Sequence, residues 1–216
     1  MRAPQINLKS DLPTDTKNAS YNSCAMGKSG TTAPQELRTA RLLLRSLEMG
    51  DVPALVRLTG AREIAAMTTR IPHPYSEQDA RNFLLQAHEE FRDGRSISFA
   101  ITILPAGELC GGIRLDLTPE HQRAELGYWI GVPFWGRGFA TEAATAVVAF
   151  GFDTLRLHRI HAHHFGGNTA SQRVLEKIGM RHEGHIPQHV LKWDHYIDLE
   201  IYGLLASDFR GRKKES

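Results

Sequence analysis

Two glycines lie between an apolar strand and a small-residue helix in the segment 129–147. Gly136 and Gly138 permit positive φ angles or a close backbone approach. The first turn of a helix has amide N–H groups without intrahelical acceptors, and the helix dipole makes that end positive. The segment therefore predicts an anion site suited to phosphate, to which Arg137 can add a cation. Three small side chains leave the amides accessible: Gly138, Ala140 and Thr141.

A nicotinamide dinucleotide loop is a competing interpretation of the same segment. That loop has the pattern G-x-G-x-x-G/A, and only its first two glycines are present here, as Gly136 and Gly138. The small residue arrives one place early, at Ala140. The pattern therefore favours a phosphate site of another kind.

Histidine is the second chemical signal, since four of the 11 histidines fall within seven positions. In a strand over 158–164, His161 and His163 share one face, whereas His158 and His164 share the other. Two ligands on one face can hold zinc only with further ligands from elsewhere, and no His-Glu-x-x-His or Cys-x-x-Cys pattern supplies them. We therefore expect no metal site, and we interpret these histidines as polar strand positions.

Composition limits the class of protein. With 216 residues, 41% of them hydrophobic, the chain has enough apolar material for one domain. A formal net charge of +2 does not indicate nucleic-acid binding. The sequence has no apolar run of about 18 residues, so we expect no membrane span. It has only two cysteines and no secretory signal, which favours a cytoplasmic protein.

The pattern divides the chain into three parts. Residues 1–35 are rich in Ser, Thr, Asn, Lys and Pro, which predicts a flexible extension or leader. We expect the functional domain at 36–210, followed by a charged tail at 211–216.

The elements expected within that domain form an α+β fold with adjacent hairpins. Asp51 is expected to cap a first helix, and Ser76 with Asp79 resembles a capping box that opens a helix to about Arg92. Gly179 is a suitable residue just beyond a helix end. The predicted strands are 37–47, 96–104, 108–115, 123–132, 158–164 and two pieces within 189–206, and the later helices are 138–154 and 169–178.

The glycine segment resembles a known cofactor motif. Trp135-Gly136-Arg137-Gly138-Phe139-Ala140 is similar to the Arg/Gln-x-x-Gly-x-Gly/Ala motif of the GCN5-related N-acetyltransferases (GNAT family), with tryptophan at the first position. The resemblance extends from about 37 to 206 and is closest to the RimJ/RimL-like branch, which acetylates ribosomal-protein N-termini. The supporting segments are Thr39–Arg45, Ala124–Ile130, Thr141–Ala143, Asn168–Ser171 and Glu176–Met180.

The resemblance implies a mostly antiparallel sheet splayed between its fourth and fifth strands, with acetyl-CoA bound in the splay. Backbone groups of Ile130 and Val132 would pair with pantetheine, and Asn168 would cap a helix and contact the same arm. Amides at the start of the long helix would hold the pyrophosphate. The implied cofactor residues are Ile130, Val132, Arg137, Gly138, Phe139, Ala140, Thr141, Asn168 and Ser171.

Amine acetylation needs a base for the ammonium and an acid for the departing thiolate. Glu125 is the first candidate for the base, acting through a water if needed, or it is only a surface carboxylate. Alternative bases are His189, Asp194 and His195. The resemblance assigns the acid to Ser171, because the family's usual tyrosine position holds Leu175. The alternative is that Ser171 only caps its helix.

These features predict an N-acetyltransferase that moves acetyl from acetyl-CoA to a primary amine by direct attack. The acceptor is a protein N-terminal amine or a small amine such as a polyamine, an aminoglycoside or an amino-acid derivative. A non-catalytic acyl-CoA-binding module is the other interpretation. We expect a monomer or homodimer.

Overall fold

The structure, a computed structural model, describes residues 34–209. The predicted tail and all but the last two residues of the predicted extension lie outside that range. The eight strands are β1 (Leu37–Arg38), β2 (Leu42–Arg45), β3 (Ser96–Ile103), β4 (Glu108–Thr118), β5 (Arg123–Ile130), β6 (Arg159–Phe165), β7 (Arg181–Lys192) and β8 (His195–Leu205). The helices are α1 (Val52–Thr59), α2 (Arg62–Ala66), α3 (Glu77–Arg92), α4 (Phe139–Asp153) and α5 (Thr169–Lys177).

All eight strands form one sheet in the order β1-β2-β3-β4-β5-β6-β8-β7. Neighbours are antiparallel except β5 and β6, which run parallel. α4 packs on one face, where the backbone at Gly151 approaches Leu115 and Ile160. α3 lies on the opposite face, where Glu90 accepts a hydrogen bond from Ser96 of β3. The predicted mostly antiparallel α+β fold is therefore confirmed.

The parallel ladder is short, and its end opens the sheet. β5 and β6 pair only at Arg123 with Arg159, Ala124 with Ile160 and Glu125 with His161. Beyond these pairs β5 continues to Ile130 without a neighbour on that side, while β6 stays paired with β8. The expected splay is confirmed at β5 and β6, which are the fourth and fifth of the predicted strands.

Local signals account for several element ends. Ser76 and Asp79 form the predicted capping box at the start of α3. Gly179 has φ 92°, and the N–H of Met180 donates to the carbonyl of Leu175 at 3.0 Å, which closes α5 as a Schellman motif. Asp51 precedes α1 but makes no side-chain cap there.

Two expectations were too coarse. The strand predicted at 37–47 is broken into β1 and β2, because Thr39 turns the chain by donating its N–H to the carbonyl of Leu42 at 2.9 Å. The Asp51 carboxylate accepts hydrogen bonds from the guanidinium of Arg45 at 2.8 Å and does not cap the helix.

Helix α2 was not predicted, because five residues are too few to display a helical period. Within residues 34–209, no helix is both long and apolar enough to cross a membrane.

One carboxylate fixes the start of α4 to the first strands. Glu142, in the first turn of α4, accepts hydrogen bonds from the hydroxyl of Thr39 at 2.6 Å and from the N–H of Arg41 at 2.9 Å. It also forms an ion pair with the guanidinium of Arg41. Burial raises the pKa of Glu142, but these hydrogen bonds lower it more, so its pKa lies below the usual 4.5.

We predict that Glu142→Gln lowers the free energy of unfolding by about 1–2 kcal/mol at pH 7, because the charge-assisted hydrogen bonds are lost. A carboxyl group with a lowered folded-state pKa stabilises the protein above its unfolded pKa, and this stabilisation is lost as pH falls through the folded pKa. The difference between variant and wild type should therefore shrink below about pH 4.5. Urea denaturation from pH 3 to 8 measures it, with the exposed Glu77→Gln as a control that should change little. A difference independent of pH would contradict this role of Glu142.

Candidate active site

The splay opens into a cleft with a volume of about 1360 Å³. It reaches from the start of α4, past the free edge of β5, to the loop before α3. Glu125 lines it together with seven of the nine expected cofactor residues. Val132 and Arg137 adjoin the cleft but do not line it. The lining members are Ile130, Gly138, Phe139, Ala140, Thr141, Asn168 and Ser171.

The start of α4 is a cluster of unpaired amides. Gly136 and Gly138 have φ angles of 74° and 80°, which a glycine adopts without strain. The first internal bond of the helix runs from the N–H of Glu142 to the carbonyl of Gly138 at 3.1 Å. Within the described part of the chain, no acceptor faces the preceding amides of Phe139, Ala140 and Thr141. This geometry is suited to an anion, which the sequence predicts at this position.

Two guanidinium groups stand beside that helix end. The Arg137 guanidinium lies 4.7 Å from the centroid of the Phe139 ring, and the Arg41 guanidinium lies 4.9 Å from it. Arg41 also donates to the carbonyl of Arg137 at 3.0 Å. Arg41 is neutralised by Glu142, so Arg137 provides the uncompensated positive charge near the amides.

The free edge of β5 offers backbone groups to the cleft. The N–H of Gly131 donates to the carbonyl of Cys110 at 2.9 Å, so odd-numbered residues of β5 bond to β4. The N–H and C=O groups of Tyr128 and Ile130 therefore point into the splay. The carbonyl of Ile130 accepts a hydrogen bond from the indole of Trp135 at 2.6 Å. Trp135, at the position where the motif has Gln or Arg, thus ties the glycine turn to the strand end.

Glu125 lies between two histidines on one face of the sheet. One of its carboxylate oxygens is 3.2 Å from Nδ1 of His163, and the other is 3.7 Å from Nε2 of His161. The hydrogen bond to His163 is the main reason that the pKa of Glu125 lies below its usual value. Burial lowers the pKa of His161, which therefore is neutral near pH 7. The site thus places an ionised carboxylate beside two imidazole rings.

The histidine cluster divides between the faces of the sheet as predicted, with one exception. His161 and His163 share the face of Glu125, while His164 is buried on the other face beside the ring of Tyr202. His158 precedes β6 and is exposed. Among residues 34–209, no group of three or more His, Cys, Asp or Glu side chains is arranged to hold a metal ion.

A tyrosine that the sequence pattern does not single out, Tyr128, lies on the opposite face of β5 from Glu125. The hydroxyl of Tyr128 is 2.7 Å from Oγ of Ser171 on α5. Burial raises the pKa of Tyr128 to about 12, so its hydroxyl stays protonated. Its position in β5 was visible in the sequence, but its contact with α5 depends on two elements 43 residues apart.

Asn168 is the N-cap of α5, as expected. Its side-chain oxygen accepts a hydrogen bond from the N–H of Ser171 at 3.1 Å. Ser171 is therefore in the first helical turn and is not itself the cap, so its hydroxyl is available to Tyr128. Leu175, where a tyrosine is usual in the family, is completely buried in the core.

The end of the β7–β8 hairpin contacts the loop that lines the far side of the cleft. Nζ of Lys192 donates to the carbonyls of Thr68 and Ile71 at 2.9 and 3.2 Å. The ring of Trp193 lies 4.9 Å from the guanidinium of Arg62. The alternative bases of this region are exposed and do not line the cleft: His189, Asp194 and His195.

Comparison with known proteins agrees with this geometry. The family model described as acetyltransferase (GNAT) domain matches residues 41–181. The uncharacterized N-acetyltransferase YoaA of Bacillus subtilis is 31% identical over 170 residues, which cover 78% of this chain and 96% of YoaA. The [ribosomal protein uS5]-alanine N-acetyltransferase of Escherichia coli is 34% identical over 84 residues, covering 39% of this chain and 43% of that enzyme.

A solved structure has the same fold over most of the chain. The acetyltransferase (GNAT family) from Bacillus anthracis superposes with a TM-score of 0.72 at 28% identity, covering 80% of this chain and 99% of that one. The predicted family is therefore confirmed, and a ribosomal-protein acetyltransferase is among its relatives. The chain belongs to the GNAT family of N-acetyltransferases.

Proposed function

We propose that the chain transfers the acetyl group of acetyl-CoA to the α-amine of a polypeptide. The observation that supports this proposal is that three features line one cleft: a helix end suited to an anion, an unpaired strand edge and an ionised carboxylate. The amine attacks the thioester carbonyl, a C–N bond forms, and the C–S bond breaks. One proton leaves the amine and one reaches the thiolate.

The residues present fit acetyl-CoA as the acetyl donor. The pyrophosphate suits the amides of Phe139, Ala140 and Thr141, because they lack protein acceptors and point from a positive helix end. The amide-bearing pantetheine arm suits the free N–H and C=O groups of Tyr128 and the free N–H of Ile130, to which it can add as a strand would. Within the described residues, Cys110 is buried with its pKa raised to about 12, which favours direct attack over an acyl-enzyme on that thiol.

Glu125 is the base in this proposal. It lies on the cleft face of β5, it is ionised at neutral pH, and Nδ1 of His163, 3.2 Å away, orients the carboxylate by donating a hydrogen bond to it. His189, Asp194 and His195 are less suitable, because they are exposed and do not line the cleft.

The thiolate receives its proton from the Tyr128–Ser171 pair. The two hydroxyls are 2.7 Å apart, so one can donate to the sulfur while the other replaces the proton. Tyr128 remains protonated throughout the working range because its pKa is about 12.

The acceptor is the finer part of the proposal. The relative from Escherichia coli is named for the alanine of a ribosomal protein, which supports a protein N-terminal amine. A small amine is the second candidate, because acceptor loops diverge more readily than the cofactor cradle.

Ala140→Glu should lower acetyl-CoA affinity at least tenfold. The helix dipole stabilises a carboxylate in the first turn, but that carboxylate repels a pyrophosphate at the same amides, so the affinity for acetyl-CoA falls. Isothermal titration with acetyl-CoA measures the affinity. Ala146→Glu, farther along α4 and outside the cleft, should bind like the wild type. Equal affinity of both variants would place the pyrophosphate elsewhere.

Glu125→Gln should lower kcat by about 10²- to 10⁴-fold, the usual contribution of a general base, with unchanged acetyl-CoA affinity. Release of free CoA thiol, measured with an N-terminal alanine peptide, reports the rate. Because the pKa of Glu125 is lowered, its protonation should not reduce the wild-type rate above about pH 5. The exposed Glu89→Gln is the control. Wild-type protein that binds acetyl-CoA but acetylates no amine would instead favour a binding module.

Tyr128→Phe should lower kcat about tenfold, a modest loss, because a thiol with a pKa near 8.5 is already a good leaving group. Ser171→Ala should have a similar effect. Since the two hydroxyls act as one unit, the double variant should be no slower than the slower single variant. Tyr196→Phe, exposed on β8, serves as the control. Strictly additive losses would mean that the hydroxyls act independently.

A further inference from the structure

A row of residues crosses three strands beside Glu125. Ser98 of β3 pairs with Arg114 of β4, and Arg114 pairs with Gly127 of β5. Because side chains two positions apart share a face, Gly127 lies on the face of Glu125. All four residues line the cleft on the side opposite Tyr128.

Two polar atoms in this row are buried and lack partners. Oγ of Ser98 and Nε of Arg114 make no hydrogen bond within the described part of the chain. Ser98 is only 7% exposed. An unpaired buried donor destabilises a fold, so such groups are uncommon unless they serve a function. Because Ser98 and Arg114 both line the cleft, these two atoms are candidate donors to an oxygen acceptor of a ligand bound there.

Arg114 is held so that it cannot turn away from this position. Its Nη2 donates to Glu90 at 2.9 Å and to Asp116, which also binds Arg70. Arg95 lies beside Glu90 and also pairs with Asp93, so three guanidinium groups face three carboxylates and leave no surplus positive charge near Ser98. The chemistry therefore suits a neutral carbonyl oxygen better than a carboxylate.

Gly127 leaves space between that donor pair and Glu125. A Cβ atom built at Gly127 would meet only Cγ of Arg114, at 3.6 Å. An acceptor main chain can lie over this glycine, with its amine toward Glu125 and His163 and its carbonyl toward Ser98 and Arg114.

We propose that Ser98 and Arg114 bind the carbonyl oxygen of the residue whose α-amine is acetylated. The acceptor class is thus an N-terminal aminoacyl unit in amide linkage. Amines without an adjacent carbonyl, such as polyamines and lysine side chains, lack the group that these donors recognise. This inference rests on the proposed acetyl transfer.

The test compares alaninamide with isopropylamine, which lacks the carbonyl, as acceptors for the full chain with acetyl-CoA. Ser98→Ala should lower kcat/KM for alaninamide about tenfold, the effect of one lost hydrogen bond, and leave isopropylamine unchanged. Comparing variant with wild type for each amine cancels their difference in basicity. The melting temperature of the variant should equal or exceed that of the wild type, because an unpaired buried hydroxyl is removed.

Ser46→Ala is the matched control, since Ser46 also carries a buried, unpartnered hydroxyl but lies outside the cleft lining. It should leave both kcat/KM values unchanged. Equal losses for the two amines in Ser98→Ala, or no loss for either, would overturn the carbonyl site while the acetyltransferase proposal stands. Wild-type protein that acetylates no amine at all would overturn the acetyltransferase proposal, and the carbonyl site with it.

Discussion

The three-pair parallel ladder between β5 and β6 is the constraint on which the site depends. A longer ladder would satisfy the backbone groups of Tyr128 and Ile130 and close the cleft. A ladder absent altogether would separate Glu125 from His161. The sheet therefore holds together at one end of these strands and is open at the other, and the open end is where an extended ligand can add backbone hydrogen bonds.

The open end has to be held open, and two sets of contacts do this. Glu142 joins α4 to the β1–β2 turn, which fixes the amide cluster at the mouth of the splay. On the other side, Lys192 anchors the β7–β8 hairpin to the loop before α3. The unpaired polar groups of the cleft are thus carried on rigid elements, and burial of the apolar core compensates for their unfavourable free energy.

One strand presents both ends of the proposed proton path. Side chains alternate along β5, so Glu125 and Tyr128, three positions apart, face opposite sides of the sheet. Glu125 meets His161 and His163 on the α3 side, while Tyr128 meets Ser171 on the α5 side. A ligand in the splay lies between the two. The same alternation puts Gly127 beside Glu125 and leaves room for an acceptor.

The sequence by itself determined the family and most of the elements, because these depend on local signals, and seven of the nine expected cofactor residues line the cleft. Each of these signals lies within one short segment of the chain: the glycine pair before α4, the capping box at α3 and the alternation of β6. Only the tertiary structure decided which side chains meet. The Tyr128–Ser171 and Glu142–Arg41 contacts join positions 43 and 101 residues apart, and the buried state of Ser98 depends on strands and helices packed around it. Such contacts follow from strand register and helix packing, which no local pattern in a single sequence specifies.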